Sequence, residues 1–314
     1  MTRSEILGTT EKILQKAGFQ LSQRCCTKFS CFDLAAQGRK KLLFLRTHTD
    51  IGNTHFNEAV ELQKISGCFS AIPFIVGKMN HKKPLEDDTV YSRYNVYAIN
   101  AQTLENMFVR GTYPLVAAGP GGYYIQLDGQ LVRKRRQKLG LSVGKLAEMV
   151  GVSRRTLYGY ERGMAKASVH TAYRLEWILG APVVKNPDVF HGPERMCFVN
   201  NSGDLLARHR FLESVFQKLS EFNFTVTSTV RAPFDFVPRC PKEDINIIGA
   251  VIDADEPNIN QRINELKSLG DVVGAYAVLV SYEKSNLDKG IPYMCHEELT
   301  QMKCAEELFE CISS

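Results

Sequence analysis

The stretch Leu139-Gly-Leu-Ser-Val-Gly-Lys-Leu-Ala-Glu-Met-Val-Gly-Val-Ser-Arg-Arg-Thr-Leu-Tyr-Gly-Tyr-Glu-Arg-Gly163 decides how the middle of this chain folds. Ser142 stands where a side-chain oxygen caps a helix over 143–150, and Leu146, Ala147 and Val150 then share one apolar face. Gly151 suits the left-handed backbone of a tight turn, Ser153 caps the next short helix from Arg154, and Gly163 closes it. Upstream, Leu131 to Lys138 reads as a basic helix that Gly140 ends. Two short helices meeting at a glycine turn have the geometry of a DNA-reading helix pair.

Charge supports that reading. The chain of 314 residues carries a formal net charge of +5. Residues 128–180 hold eleven Lys and Arg against four Asp and Glu, so this segment alone is +7 and the remainder is −2. A positive excess confined to one module is expected where that module touches phosphate.

The residues Arg136, Leu139-Gly-Leu-Ser142, Leu146-Ala147, Val150-Gly-Val-Ser153, Thr156-Leu157 and Tyr160-Glu-Arg-Gly163 together resemble the Cro/phage-repressor (XRE-type) helix-turn-helix family. Leu175 and Ile178 fall where that family's closing helices bury apolar residues, which implies a five-helix domain. The resemblance places Arg154, Arg155 and Thr156 at base edges in the major groove, with Tyr158 and Gly159 one turn further on. Arginine matches guanine O6 and N7 bidentately. Ser142 and Ser153, at helix N-termini, suit phosphate, as do Lys145, Arg133 and Lys138. The resemblance also pairs Arg136 with Glu161 inside the module, which removes Arg136 from the contact set. One departure stands out: the glutamine that often opens the family's second helix is replaced by Val143-Gly144, with Lys145 the nearest substitute.

Outward from this segment the chain repeats itself. Ile13-Leu-Gln-Lys16, Phe32-Asp-Leu34, Lys41-Leu-Leu-Phe-Leu45, Glu61-Leu-Gln-Lys-Ile65 and Ile72-Pro-Phe-Ile-Val76 return as Val215-Phe-Gln-Lys218, Phe234-Asp-Phe236, Ile245-Asn-Ile-Ile248, Glu265-Leu-Lys-Ser-Leu269 and Tyr276-Ala-Val-Leu-Val280. Short β-branched and aromatic runs alternate with helical spacing in both, so each copy is an α/β sandwich. The Ala118-Gly-Pro-Gly-Gly122 and Ala181-Pro-Val-Val-Lys-Asn-Pro187 breaker clusters mark the borders of the insert. The expected division is an α/β copy at 1–117, the helix-turn-helix at 128–181 and a second α/β copy at 188–314.

Both copies, with an Asp at a strand end beside a core strand, look like the PD-(D/E)XK nuclease fold. The resemblance implies a metal held by that Asp and by a Glu-x-Lys on the next strand. Asp33 and Asp235 fit the first position. Phe44 and Arg46 stand where Glu and Lys are required, and Asn246-Ile-Ile-Gly-Ala250 offers neither. Hydrolysis through a metal needs those acids to hold the ion. Neither copy is therefore expected to be an enzyme, and Asp33 and Asp235 are left with strand-end turn or capping hydrogen bonds.

Other chemistry has little support. Gly119-Pro-Gly-Gly122 lacks the Gly-Lys-Ser/Thr of a phosphate loop, His48 and His55 suit solvated or capping roles, and nine cysteines include no Cys-x-x-Cys. No metal or cofactor is expected, and reduced thiols, the lack of a secretory signal and the lack of an apolar run of membrane length point to the cytoplasm. Taken whole, the order α/β copy, helix-turn-helix, α/β copy is similar to a family of archaeal helix-turn-helix transcriptional regulators. The implied function is sequence-specific recognition of double-stranded DNA, as a repressor and a homodimer, with a small-molecule or protein effector at the α/β copies. The competing readings are a metal-dependent nuclease targeted by the helix-turn-helix and an antitoxin-like interaction protein.

Overall fold

The computed structural model describes residues 2–27, 29–190, 206–240, 245–252, 256, 258–281 and 290–313. Two compact units divide the chain: Met1–Ile13, His48–Asn53 and Ile75–His191 form one, and Leu14–Thr47, Thr54–Phe74 and Gly192–Ser314 form the other. The border expected at 188 stands just before 191–205, which lie outside the described residues.

From the N-terminus come α1 (Arg3–Lys16), β1 (Gln20–Leu21), β2 (Leu34–Gly38), β3 (Lys41–Asp50) and α2 (Phe56–Cys68). β4 (Ile72–Asn80), β5 (Lys83–Pro84), β6 (Thr89–Arg93), β7 (Val96–Ile99), α3 (Ala101–Glu105) and β8 (Val116–Gly119) follow. β2 and β3 form an antiparallel hairpin, with Leu34 opposite Leu45. Arg39 and Lys40 both turn it at positive φ, the geometry a two-residue hairpin needs to match strand twist. Leu34, Leu43, Phe44 and Leu45 are fully buried, and α2 buries Ala59, Leu62 and Ile65 at helical spacing.

The central segment contains β9 (Gly122–Leu127), α4 (Gly129–Lys138), α5 (Val143–Val150), α6 (Arg154–Glu161), β10 (Ala167–Ser168), α7 (Val169–Leu179) and β11 (Val184–Lys185). Pro120 and Gly121 turn the chain between β8 and β9, which pair antiparallel. β9 also pairs with β10 and β11, so the strand entering the helices is tied to the chain leaving them. Four helices stand between residues 129 and 179, where five were expected. Gly163 (φ 70) stops α6, and the chain then extends so that Ala167 can pair with Ile125. Only one closing helix, α7, remains, and it buries Ala172, Leu175 and Leu179.

The C-terminal segment adds α8 (Leu206–Glu221), β12 (Thr225–Ser228), β13 (Phe236–Arg239), β14 (Asn246–Val251) and α9 (Ile259–Val273). β15 (Ala275–Ser281), β16 (Tyr293–Cys295), α10 (His296–Gln301) and α11 (Ala305–Ser313) complete it. The strands form a sheet in chain order, antiparallel from β12 to β14 and parallel from β14 to β16. α9 makes the crossover that a parallel pair requires.

Inside the second unit two buried glutamates act reciprocally. Glu61 on α2 accepts the Val230 N–H at 3.0 Å, and Glu265 on α9 accepts the Cys26 and Thr27 N–H groups at 2.9 and 3.1 Å. The Cys31 N–H donates to the Arg231 carbonyl at 2.9 Å. Phe32, Phe44, Phe69 and Phe234 form a line of ring contacts, with centroids 4.8, 5.9 and 6.3 Å apart. Burial pushes the Cys25 and Cys31 thiols well above their ordinary range, which keeps both protonated.

Gly129 tests the packing of the helical segment. A Cβ there would lie 2.4 Å from the Tyr160 carbonyl oxygen and 2.6 Å from that of Glu161, both backbone atoms. Gly129→Ala should destabilise this segment by about 1 to 3 kcal/mol, read as a lowered melting temperature; an unchanged melting curve would contradict the packing.

Candidate nucleic-acid interface

The helical segment is organised around one apolar cluster: Val132 from α4, Leu146, Ala147 and Val150 from α5, Leu157 and Tyr160 from α6, and Leu175 and Leu179 from α7. Ile125 and Leu127 on β9 close it from below. Burying the inner faces of all four helices leaves their polar faces outward.

Helix starts follow from the serines. Ser142 accepts the Lys145 N–H and Ser153 accepts the Thr156 N–H, each at 3.0 Å. Gly151 (φ 80) lets the chain reverse between α5 and α6. The expected internal ion pair is present: Arg136 Nε lies 2.6 Å from Glu161 Oε1, and Nη2 lies 3.1 Å from Oε2. Arg136 Nη1 also donates to the Leu141 carbonyl at 2.9 Å, so one guanidinium joins α4, the turn before α5 and the end of α6. The Glu161 carboxylate holds the Arg136 guanidinium above its ordinary pKa.

The predicted contact residues fall into two groups. Arg133, Lys138, Ser142, Lys145, Ser153, Arg154, Arg155 and Tyr158 are exposed, whereas Thr156 and Gly159 are half-buried. Lys145 pairs with Glu148 at 3.2 Å on an exposed face, an interaction weak enough to exchange for phosphate. Ser153 and Thr156 share a hydrogen bond between hydroxyls at 2.8 Å. Gly159 has a packing reason of its own, because a Cβ there would lie 3.2 Å from the Ala165 Cβ.

Sequence reasoning missed three arginine roles. A Cβ at Gly144 would come within 2.8 Å of Arg154 Nε, so the Val143-Gly144 departure leaves room for that guanidinium over the first turn of α5. Arg174, counted with the basic excess, donates to the Met149 carbonyl at 2.7 Å and covers the end of α5. Arg162 stacks on the Tyr158 ring at 4.3 Å.

Asp33 and Asp235 do more than turn or cap strands. Asp33 accepts the Thr47 N–H and hydroxyl at 2.6 and 2.7 Å, and Arg46 Nη1 lies 3.1 Å away. Asp235 accepts the Val251 N–H at 2.8 Å and pairs with Arg262 Nη2 at 2.6 Å. Each Asp is thus engaged by a main-chain N–H and an arginine, and among the described residues no group of three or more His, Cys, Asp or Glu stands together that could hold an ion. His55 occupies the N-cap position of α2 without a side-chain cap hydrogen bond. No helix among the described residues is long and apolar enough to cross a membrane.

This fold and this interface define a helix-turn-helix protein with α/β segments. Residues 132–184 match the helix-turn-helix family, and residues 3–114 match the PD-(D/E)XK superfamily domain. Three relatives share the printed name "Putative HTH-type transcriptional regulatory protein". The one from Pyrococcus furiosus is 30% identical over 99% of this chain and 98% of its own. Those from Methanocaldococcus jannaschii and Methanothermobacter thermautotrophicus are 32% and 31% identical, over 91% and 99% of this chain and 89% and 96% of theirs. The chain belongs to this family of HTH-type transcriptional regulatory proteins. A solved structure titled "SinR protein/SinI protein complex" is 22% identical over 31% of this chain and 78% of its own, with a TM-score of 0.17, too low to bear on the argument.

Arg136→Ala would strand Glu161, whose side chain is 6% exposed. The expected cost is roughly 3 to 5 kcal/mol in chemical denaturation, with Arg136→Met/Glu161→Leu far milder because no buried charge is left alone. Equal losses in the two variants would contradict the pairing.

Proposed function

We propose that this protein is a sequence-specific regulator of transcription, a repressor, that reads the major groove of duplex DNA with the first turn of α6. The observation that carries the reading is the pair of serine-capped helix starts, α5 and α6, presented together with exposed Arg154 and Arg155 and with Arg154 seated over Gly144. Helix N-termini attract phosphate, and arginine side chains beyond them reach base edges. Arg154, Arg155 and Thr156 are the readers, with Tyr158 and Gly159 behind them. Ser142, Ser153, Lys145, Arg133 and Lys138 meet the backbone. Residues 1–117 and 188–314 are the two α/β copies on either side of the reader at 128–181. The reciprocal roles of Glu61 and Glu265 support that duplication.

The α/β copies do not cleave DNA in this reading. They serve assembly or take a small-molecule or protein effector. Arg154→Ala and Arg155→Ala should each relax preference at one base position and cost about 1 to 3 kcal/mol of specific binding. Lys138→Ala should weaken binding evenly across sequences and flatten its salt dependence. Full specificity in both arginine variants, by competition with randomised duplexes, would remove α6 from the groove.

The regulator acts as a homodimer. One such module buries only about 600 to 1,000 Å² on DNA, and a second copy one helical turn away supplies the rest. Val169, Tyr173 and Trp177 support a second copy as the partner of α7: they recur every four residues along one stripe and are 46%, 68% and 78% exposed. In an antiparallel two-fold pairing centred on Tyr173, each Trp177 meets the smaller Val169 of the other copy. Trp177 is the chain's single tryptophan, so its emission reports this contact. Raising protein concentration should shift that emission to the blue, and Trp177→Glu should sediment as a monomer. A concentration-independent spectrum, or an unchanged dimer in the variant, would exclude α7 from the interface.

A further inference from the structure

We propose that in each α/β segment an internal guanidinium occupies the site that a metal-dependent nuclease of this superfamily would reserve for its cation. In the first segment Arg46 Nε lies 2.5 Å from Glu58 Oε1, and Nη1 lies 3.1 Å from Asp33 Oδ1 and 2.9 Å from the Ser30 carbonyl. In the second, Arg262 Nη2 lies 2.6 Å from Asp235 Oδ2, and Nη1 lies 2.7 Å from Glu256 Oε2. Its Nε donates to the Pro233 carbonyl at 2.8 Å, and Nη1 to that of Val251 at 2.9 Å.

Each guanidinium thus faces two carboxylates and a main-chain carbonyl just upstream of the strand-end Asp. That all-oxygen set is of the kind hard divalent cations take. Here the charge is supplied by a tethered guanidinium. Arg262 is 1% exposed, so an ion could enter only by expelling it.

The two arginines come from different places in the chain, and this argues that the charge matters more than the residue's position. Arg46 is on β3 and Arg262 on α9. The alignment that superposes Glu61 on Glu265 also superposes Glu58 on Arg262, and Ala250 falls opposite Arg46. The cation has moved from strand to helix, while the Asp it neutralises has kept its place. Two halves of one chain have met the same electrostatic demand by separate routes.

The inference extends the non-cleaving reading of these segments and is tested by metal binding rather than by cleavage. Full-length protein is titrated with Mn²⁺ while free Mn²⁺ is followed by electron paramagnetic resonance. Wild type should show no saturable site. Arg46→Met, which keeps the aliphatic stem, should gain one Mn²⁺ per chain, bound roughly tenfold or more tightly than any residual wild-type binding, and Asp33→Asn added to it should remove that gain. Circular dichroism confirms that the variants are folded, and the wild-type titration decides the question even where one is not. Saturable Mn²⁺ binding by wild type that Asp33→Asn or Asp235→Asn abolishes would overturn the proposal. A folded Arg46→Met that gains no site would overturn it equally. Metal uptake by wild type without DNA cleavage would end this inference and leave the regulator standing.

Discussion

The buried bidentate pair between Arg136 and Glu161 sets the geometry on which the DNA-reading segment depends. It joins the last turn of α4 to the last residue of α6, and the same guanidinium ties down the Leu141 carbonyl just before α5 begins. Three helices are thereby fixed through one side chain. The apolar cluster beneath could accept several helix rotations of similar burial, whereas a two-pronged charge pair accepts one. The proposed role of α6 needs that restriction, because arginines that read base edges must arrive there in one register.

A comparable economy governs the second unit. Glu61 and Glu265 each cap backbone N–H groups of a loop far away in sequence. Those loops precede Asp33 and Asp235, and each Asp is neutralised by an arginine. Charge here fixes loop position. The cost of burying so many ionic groups is offset only because nearly every one has a charged or main-chain partner.

The helix-turn-helix was legible in the sequence because its determinants are local. Ser142, Gly151, Ser153 and Gly163 act on their own neighbours within a turn, so identity and spacing suffice. Arg136 with Glu161 was reached through family resemblance, since nothing local marks that pair. The missing fifth helix was illegible because β10 forms by pairing with β9, some forty residues upstream. Arg262 was missed for the same kind of reason. On α9 it reads as one more solvated arginine, and only the fold reveals Asp235 and Glu256 around it. Gly144 was noticed as a departure, but its meaning depended on where the Arg154 side chain lies.

Duplex recognition by this one segment is tested most directly by selection from a random duplex library with the full-length protein. The expected product is a single enriched motif with two inverted half-sites about one helical turn apart. Recovery of no motif under conditions where the protein is folded, or of single-stranded or branched DNA in preference to duplex, would contradict it.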